Sequence, residues 1–379
     1  MENLLKAKLN ELVTILEGKD RTGLKAVIGL DGFVDEILHV VATRKNAMEY
    51  ERLKTIKEYG EKIIQASGLS TNIEMVRLQE KLGGNGPILS NALAQYGVDL
   101  SYIGALGYPH LEKVFEAMAE ICKVYSIANP GHTDAVEFED GKVMVGKLES
   151  LKDVNWDNIK KIIGITKLVE LINESKLLGL ENWTMLPHMS DIWKGLLEEV
   201  FPLLNKSNEE KLVFFDLADP EKREKEDILE AINLIQSFSE YFKVILGLNF
   251  KEAVEIAEIL GLEIIKNEDN KVDLKILVTQ LAEKLQLYSM VVHPTIEAST
   301  VIKGTYYNVM GPYTPKPKLT TGAGDNFNAG FCLAQMMELT PEQSLIMGVA
   351  TSGFYVRNAK SPTFNEVIEF LKLWSEDSI

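Results

Sequence analysis

The 379-residue sequence predicts an α/β fold, a three-layer sandwich in which helices cover both faces of a mostly parallel central sheet. Short, solidly apolar segments alternate with helical patterns along the chain, as expected for parallel strands that are buried on both faces. One amphipathic hairpin differs from these segments and predicts a small β lid outside the main sheet. Since no internal repeat and no Pro/Ser-rich linker interrupts the pattern, one large domain is favoured over two.

The apolar segments predict the strands of the central sheet. They lie at 25–31, 98–104, 211–216, 242–248, 288–293 and 301–309. Helical patterns, with apolar residues three and four apart, lie before, between and after these strands. The predicted helices are the N-terminal segment, 46–67, a segment between Gly84 and Gly97, segments between and after the strands at 211–216 and 242–248, and three segments after Gly322.

The lid prediction depends on residues 135–147, where apolar and polar residues alternate on both sides of Asp140-Gly141. An Asp-Gly pair between alternating segments is a strong signal for a tight hairpin turn. We therefore expect a single domain over 1–379, with lid elements at about 36–45 and 133–148 and a helical insertion at about 46–80. Because an uncovered strand edge invites pairing, we also expect a homodimer through the lid.

Charge and composition exclude several function classes. The net charge of −16 argues against wrapping nucleic acid or adhering to an anionic membrane, because both require a basic face. No run of 18 apolar residues predicts a membrane span. The sequence contains only two cysteines, Cys122 and Cys332, which favours a reducing compartment, and we expect the cytoplasm. No GxxxxGK[ST] loop, HExxH pair or GxSxG elbow is present.

The segment that carries chemistry is Thr320-Thr-Gly-Ala-Gly-Asp325, followed by a helical pattern. Glycines at a helix N-terminus let a ligand approach free backbone N–H groups, and the helix dipole favours an anion there. A carboxylate inside such a site suggests phosphoryl transfer, with Asp325 accepting a hydroxyl proton. The alternative is a glycine-rich turn in which Asp325 merely caps the helix.

Three other landmarks accompany that segment: the acids Asp31 and Asp35 after the first strand, the turn Gly83-Gly84-Asn85, and the pair Asn249 and Glu252. In this order the motifs resemble those of the ribokinase/PfkB family of carbohydrate and nucleoside kinases, over roughly residues 25–360. The resemblance implies a ribokinase-like (Rossmann-type) sandwich. It also implies ATP- and Mg²⁺-dependent phosphoryl transfer to a hydroxymethyl group of a sugar or sugar-like substrate.

The resemblance also assigns roles to residues. Asp325 would be the general base, and the backbone of Gly322, Ala323 and Gly324 the anion hole. The predicted substrate-binding residues are Asp35, Asp31, Gly83, Gly84 and Asn85. The predicted nucleotide- or phosphate-binding residues are Asn249, Thr321 and Asp216. Mg²⁺ would be held by Glu252 and, through water, by Asn249.

Structural roles remain open for several of these residues. Asp35 is favoured over Asp31 as the substrate acid, because the pattern Glu36-Ile37-Leu38 after it continues as a strand towards the lid. Asp31 could instead be a turn acid that binds its own backbone. Asn249 and Glu252 also have the spacing of a capping box, and Asp216 could be a capping acid after its strand.

Two departures from the family pattern bear on the donor and on ions. Leu319 stands where the family usually has an acid that helps build a monovalent-cation site, so potassium activation stays open. The segment 294–298 lacks the two glycines expected after the strand at 288–293, so either ATP is held differently or the phosphoryl-donor preference is altered. The alternatives are a nucleoside or keto-sugar-acid kinase of the same fold, and a sugar- or nucleotide-binding protein without turnover.

Overall fold

Fourteen strands and thirteen helices form the described part of the chain, residues 2–205 and 210–379 of a computed structural model. The strands are β1 (Lys25–Leu30), β2 (Phe33–Arg44), β3 (Tyr50–Arg52), β4 (Met75–Gly83), β5 (Asp99–Ala105), β6 (Lys123–Ala128), β7 (Gly131–Glu137), β8 (Lys142–Lys147), β9 (Leu177–Glu181), β10 (Leu212–Asp216), β11 (Lys243–Leu248), β12 (Ser289–Val292), β13 (Glu297–Ile302) and β14 (Thr305–Met310). The helices are α1 (Glu2–Gly18), α2 (Ile56–Gln65), α3 (Asn85–Gln95), α4 (Glu116–Ile121), α5 (Trp156–Ile162), α6 (Ile165–Glu174), α7 (Met189–Gly195), α8 (Lys225–Ser237), α9 (Phe250–Ile259), α10 (Leu274–Leu285), α11 (Ala323–Met336), α12 (Pro341–Asn358) and α13 (Phe364–Ser375). None of these helices is both long and apolar enough to cross a membrane.

The large sheet has nine strands in the order β14-β13-β12-β11-β10-β9-β1-β5-β6. All neighbours pair in parallel except β12 with β13 and β13 with β14, which are antiparallel. The single strand predicted at 301–309 is therefore wrong. The segment instead contains the end of β13, the turn Lys303-Gly304 and most of β14, and both turn residues have positive φ, as tight hairpins require.

Alternate residues of the large sheet pack into two separate apolar layers. Phe214 of β10 lies in one core with residues of α1, α3, α11, α12 and α13, whereas Phe215 lies in the other core with residues of α5 to α10. Burial on both faces explains why these strands read as continuous apolar runs. The predicted three-layer α/β sandwich is confirmed.

The small sheet has five strands built around β2. β7 pairs with β2 in parallel, and β8 pairs with β7. β4 pairs antiparallel with residues 33–40 of β2, and β3 pairs antiparallel with residues 41–44. Its own core is small: Val40, Val136 and Phe138 are buried, and Tyr59 of α2 contacts Phe138 with ring centroids 5.5 Å apart. The predicted hairpin at 135–147 is present here as β7 and β8.

The helical insertion predicted at about 46–80 is wrong over much of its length. Only Ile56–Gln65 is helical, while Tyr50–Arg52 and Met75–Gly83 are strands of the small sheet. Most side chains of β4 are exposed or half-buried, so its sequence has neither an apolar run nor a clear alternation. Only pairing with β2 makes this segment a strand.

The carboxyl ends of five neighbouring parallel strands meet at one edge of the large sheet, next to its switch point at β1. Ligands of open α/β sheets bind at such an edge. The polar residues that end or follow these strands are Asp31 (β1), Glu181 (β9), Asp216 (β10), Asn249 (β11) and His293 (β12).

Candidate active site

The N-terminus of α11 opens onto this edge of the sheet. Gly322 is its N-cap residue with φ of 90°, a conformation that glycine adopts without steric cost. The Ala323 N–H donates to the Thr320 carbonyl at 3.0 Å. No acceptor for the N–H groups of Gly322 and Gly324 lies in the described part of the chain. Of the three amides predicted to form the anion hole, two are thus open and that of Ala323 is engaged in the turn.

A cavity of about 540 Å³ lies in front of this helix end. Asp325 and Gly324 form one part of its wall, and Asp216, Asn249 and Glu252 form another. The predicted base therefore faces the same space as the residues predicted to bind nucleotide and metal. The remaining wall includes apolar side chains of α12, such as Val349 and Val356. An elongated ligand could thus lie with one end at α11 and an apolar part against α12.

Asp325 is 7% exposed and lies in the first turn of α11. Its carboxylate accepts a hydrogen bond from the side-chain amide of Asn85 at 3.0 Å. Burial, with a smaller contribution from the Asp31 carboxylate, raises the pKa of Asp325 to about 7. A carboxylate whose pKa lies near neutral pH suits a general base, since it can take up a proton during reaction.

Asp31 does not line this cavity, although the sequence placed it in the substrate pocket. It is fully buried at the N-terminus of α3, where its carboxylate accepts the N–H groups of Asn85 and Gly86 at 2.9 Å each. Asn182 donates a third hydrogen bond at 2.7 Å. A Cβ on Gly84, whose φ is 100°, would lie 2.8 Å from this carboxylate. Asp31 therefore holds the glycine turn that presents Asn85 to Asp325, and the backbone that it binds belongs to α3 rather than to its own turn.

Asp35 lines a second cavity, of about 370 Å³, together with Thr321 and Leu319. Its carboxylate is 8% exposed, and burial raises its pKa, opposed in part by the charge of Lys81. A Cβ on Gly83 would lie 2.5 Å from the Asp35 carboxyl carbon, so the turn must be glycine for the acid to stand there. Thr321, predicted to contact nucleotide, thus lies on the Asp35 side of α11.

Asn249 and Glu252 form the capping box that the sequence left open. The Asn249 side chain accepts the Glu252 N–H at 3.0 Å, and the Glu252 carboxylate accepts the N–H groups of Asn249 at 2.8 Å and Asp219 at 2.9 Å. Asp216 similarly accepts the Ala218 N–H and is bound by the Asn328 amide at 3.0 Å. All three residues also line the large cavity, so these structural contacts leave them facing it.

The sequence reasoning missed Glu181, because it missed β9. Glu181 is fully buried, and neither oxygen of its side chain has a hydrogen-bond partner in the described part of the chain. Burial and the neighbouring carboxylates Asp216 and Asp325 raise its pKa well above the ordinary value. The signal was available: Leu177–Glu181 is an apolar run that ends in an acid, like the strand ending at Asp216.

Comparison with known proteins supplies the context for this site. A family model described as prokaryotic ketohexokinase matches residues 17–374. The ketohexokinase of Haloferax volcanii is 29% identical over 351 residues, which cover 92% of this chain and 91% of that relative.

Solved structures share the fold at low sequence identity. Arabidopsis thaliana ribokinase, complexed with ribose and ATP, is 16% identical with a TM-score of 0.63, and the match covers 92% of this chain and 98% of that one. Adenosine kinase from Sinorhizobium meliloti is 15% identical with a TM-score of 0.62, and the match covers 93% and 100%.

Proposed function

Since the chain belongs to the prokaryotic ketohexokinase family and is a carbohydrate kinase, we propose that it transfers the γ-phosphoryl group of ATP to a hydroxymethyl group of a ketohexose. One observation carries the mechanism: Asp325 and Gly324, whose N–H is open, share one wall of the large cavity at the start of α11. A base and an anion site that lie within the same helical turn suit in-line phosphoryl transfer to a hydroxyl group.

In the proposed step the sugar hydroxyl oxygen attacks the γ-phosphorus. The bond between that phosphorus and the β–γ bridging oxygen breaks, and ADP leaves with the bonding electrons. The hydroxyl proton passes to the Asp325 carboxylate. The N–H groups of Gly322 and Gly324, with the positive end of the α11 dipole, stabilise charge on the transferring group.

We place the nucleotide in the large cavity, with its phosphates at α11 and its base along the apolar wall of α12. The sugar would lie between Asp325 and the Asp35 side, where carboxylates accept hydrogen bonds from its hydroxyls. The small sheet begins at Phe33, two residues before Asp35, so movement of this lid would close over the sugar and exclude water.

The residues around Glu252 fit a hydrated Mg²⁺ better than a directly bound ion. Both Glu252 oxygens already accept backbone N–H groups, and their remaining lone pairs can accept hydrogen bonds from water. Among the described residues no three His, Cys, Asp or Glu side chains lie together as a direct ligand set. Mg²⁺ keeps several waters when bound, and it would neutralise phosphate charge here. Asn249 and Glu252 would hold those waters.

We also propose a homodimer formed through the lid. Met144 and Val145 of β8 are 50% and 45% exposed, and β8 is an edge strand of the small sheet. Pairing of such an edge with a second copy would cover these side chains. Light scattering at micromolar concentration should give twice the 42.4 kDa chain mass, and Val145→Lys should give the single mass. A monomeric native protein would contradict this proposal.

The test of the proposed function is ATP consumption with Mg²⁺ across a panel of ketohexoses, aldoses, nucleosides and keto-sugar acids. We expect the highest kcat/KM with a ketohexose and loss of turnover in Asp325→Asn. Preference for a nucleoside or a keto-sugar acid would replace the substrate assignment. If ligands shift the melting temperature but no acceptor leads to ADP formation from ATP, a binding protein without turnover would be favoured instead. A cytoplasmic location stays a prediction.

A further inference from the structure

His293 stands directly against the first turn of α11. It follows β12, and its backbone N–H donates to the Leu248 carbonyl at 3.1 Å, which holds it beside the end of β11. Its ring stacks on Phe327 of α11 with centroids 4.6 Å apart and an interplanar angle of 28°. A Cβ on Gly324 would lie only 3.3 Å from His293 Cε1, so the imidazole touches the open amide turn.

The side-chain donors that the large cavity offers to a phosphate are neutral amide, hydroxyl and imidazole groups. Its wall holds five carboxylates and, among the described residues, no lysine or arginine; the carboxylates are Asp216, Asp219, Glu252, Glu297 and Asp325. A polyphosphate is itself an acceptor, so it requires N–H or O–H donors. Pro294, the next residue after His293, has no N–H to offer. At this part of the wall the imidazole can add a nitrogen donor beside the open N–H of Gly324.

The protonation state of the imidazole suits such a role. Burial lowers the pKa of His293 to about 4, so the ring is neutral at pH 7, with one N–H donor and one acceptor nitrogen. The acids that line the same cavity from other elements are Asp216, Asp219, Glu252 and Asp325, and Glu297 lies in β13. A neutral donor adds hydrogen bonding to the phosphate site without a titration near neutral pH.

We infer that His293 is a nucleotide-binding residue whose imidazole N–H donates to a phosphate oxygen of the donor held at the N-terminus of α11. This inference rests on the proposed function, because that function places the phosphates there. It gives a physical account of how a segment without glycines after β12 can serve a nucleotide: a side chain replaces backbone donors. His293 thereby sets affinity for the nucleotide and leaves affinity for the sugar unaffected.

The experiment compares His293→Phe, which keeps an aromatic ring and loses the donor, with His293→Gln, which keeps an N–H donor. We expect KM for ATP to rise about tenfold or more in His293→Phe, with KM for the sugar unchanged and partial recovery in His293→Gln. Calorimetric binding of ATP with Mg²⁺ should weaken in the same order. The control His132→Gln changes an exposed histidine of β7 and should alter none of these values.

Three results would overturn the inference: unchanged ATP affinity in His293→Phe, equal rises in both KM values, or no advantage of His293→Gln over His293→Phe. The inference would also be overturned if the native protein lost ATP affinity as pH rises from 6 to 7 and His293→Gln did not. That result would show that a charged imidazolium binds the phosphate. If the native protein binds ATP but phosphorylates no acceptor, the proposed function fails, while the calorimetric comparison still tests His293.

Discussion

The carboxyl groups at the edge of the large sheet and those of the lid differ in partners and exposure. At the edge, Asp31, Asp216 and Glu252 are buried, and their partners are neutral backbone N–H groups, asparagine amides and a tyrosine hydroxyl. In the lid, Arg77 bridges Glu36 and Glu80, and Lys147 pairs with Asp134 at 2.7 Å, all with partly exposed side chains.

The difference shows what each set of charges can do. Solvent screens the lid pairs, so each contributes little and tolerates change. Burial at the sheet edge disfavours ionisation and raises the pKa of Asp31, Glu181, Asp216, Glu252 and Asp325. Such carboxyls reduce stability at neutral pH, which is expected of groups retained for chemistry.

The largest contrast should come from Asp325→Asn compared with Asp134→Asn. Asp325→Asn removes the base and should lower kcat by about 10²- to 10⁴-fold, whereas Asp134→Asn in the lid should leave kcat within about twofold of the native value. The pKa of folded Asp325, about 7, lies above that of an unfolded aspartate, so its stability contribution is lost as pH rises from about 4 to 7. Asp325→Asn should therefore melt higher than the native protein at pH 8. Full activity in Asp325→Asn would refute the base assignment.

Glu181→Gln should stabilise the fold, because it removes a buried carboxyl without hydrogen-bond partners. Because the pKa of Glu181 is raised in the folded state, the contribution of this carboxyl to stability is fully present below about pH 4 and is lost as pH rises. The gain in free energy of unfolding should thus grow with pH and reach at least about 1 kcal/mol at pH 8. Urea denaturation at several pH values measures it, with Glu80→Gln in the lid as the control. A gain that is independent of pH would contradict a raised pKa for Glu181.

Asn85→Ala should shift the pH dependence of kcat/KM. The native activity should rise with pH through about 7, as the free enzyme's Asp325 loses its proton. The Asn85 amide favours the charged form, so without it the pKa of Asp325 rises and the midpoint moves to higher pH. The matched control is Asn46→Ala, which removes an exposed hydrogen bond from the side-chain amide of Asn46 to the Glu49 carboxylate in the lid. An unshifted or lowered midpoint would show that Asn85 does not tune Asp325.

The smallest effect should follow Lys147→Met in the lid. The pair with Asp134 joins β8 to β7, but the lysine side chain is 57% exposed. We expect a loss of about 0–1 kcal/mol in the free energy of unfolding, decreasing further at high salt. A larger loss, measured by urea denaturation, would mean that lid charges are less screened than their exposure implies.

Local patterns were enough to predict most of the large sheet and the start of α11. Strands buried on both faces are apolar throughout, and a glycine-rich turn before a helix can be recognised without knowing its neighbours. The lid was harder to predict: β4 is exposed along most of its length, so nothing in its residues distinguishes a strand from a helix. β9 was missed because a five-residue apolar run also fits the end of a buried helix.

Within the site, the sequence identified types of residue but not their partners. The sequence predicts that both Asp31 and Asp35 bind substrate, since both are acids that follow β1. The structure separates them: Asp31 binds the backbone of α3, whereas Asp35 faces a cavity. It also shows that Ala323 has already donated its N–H to Thr320, which no spacing rule reveals.

By itself, the sequence determined the α/β class, the positions of most main strands along the chain and the glycine-rich turn that carries Asp325. These features depend on residues close together in the chain. Only the tertiary structure decided that Asn85 contacts Asp325 across 240 positions, that Glu181 lies buried beside other acids, and that His293 packs on Phe327. The reason is physical: hydrogen bonding, desolvation and pKa depend on which groups meet in space, and strands distant in sequence bring their carboxyl ends together only when the sheet forms.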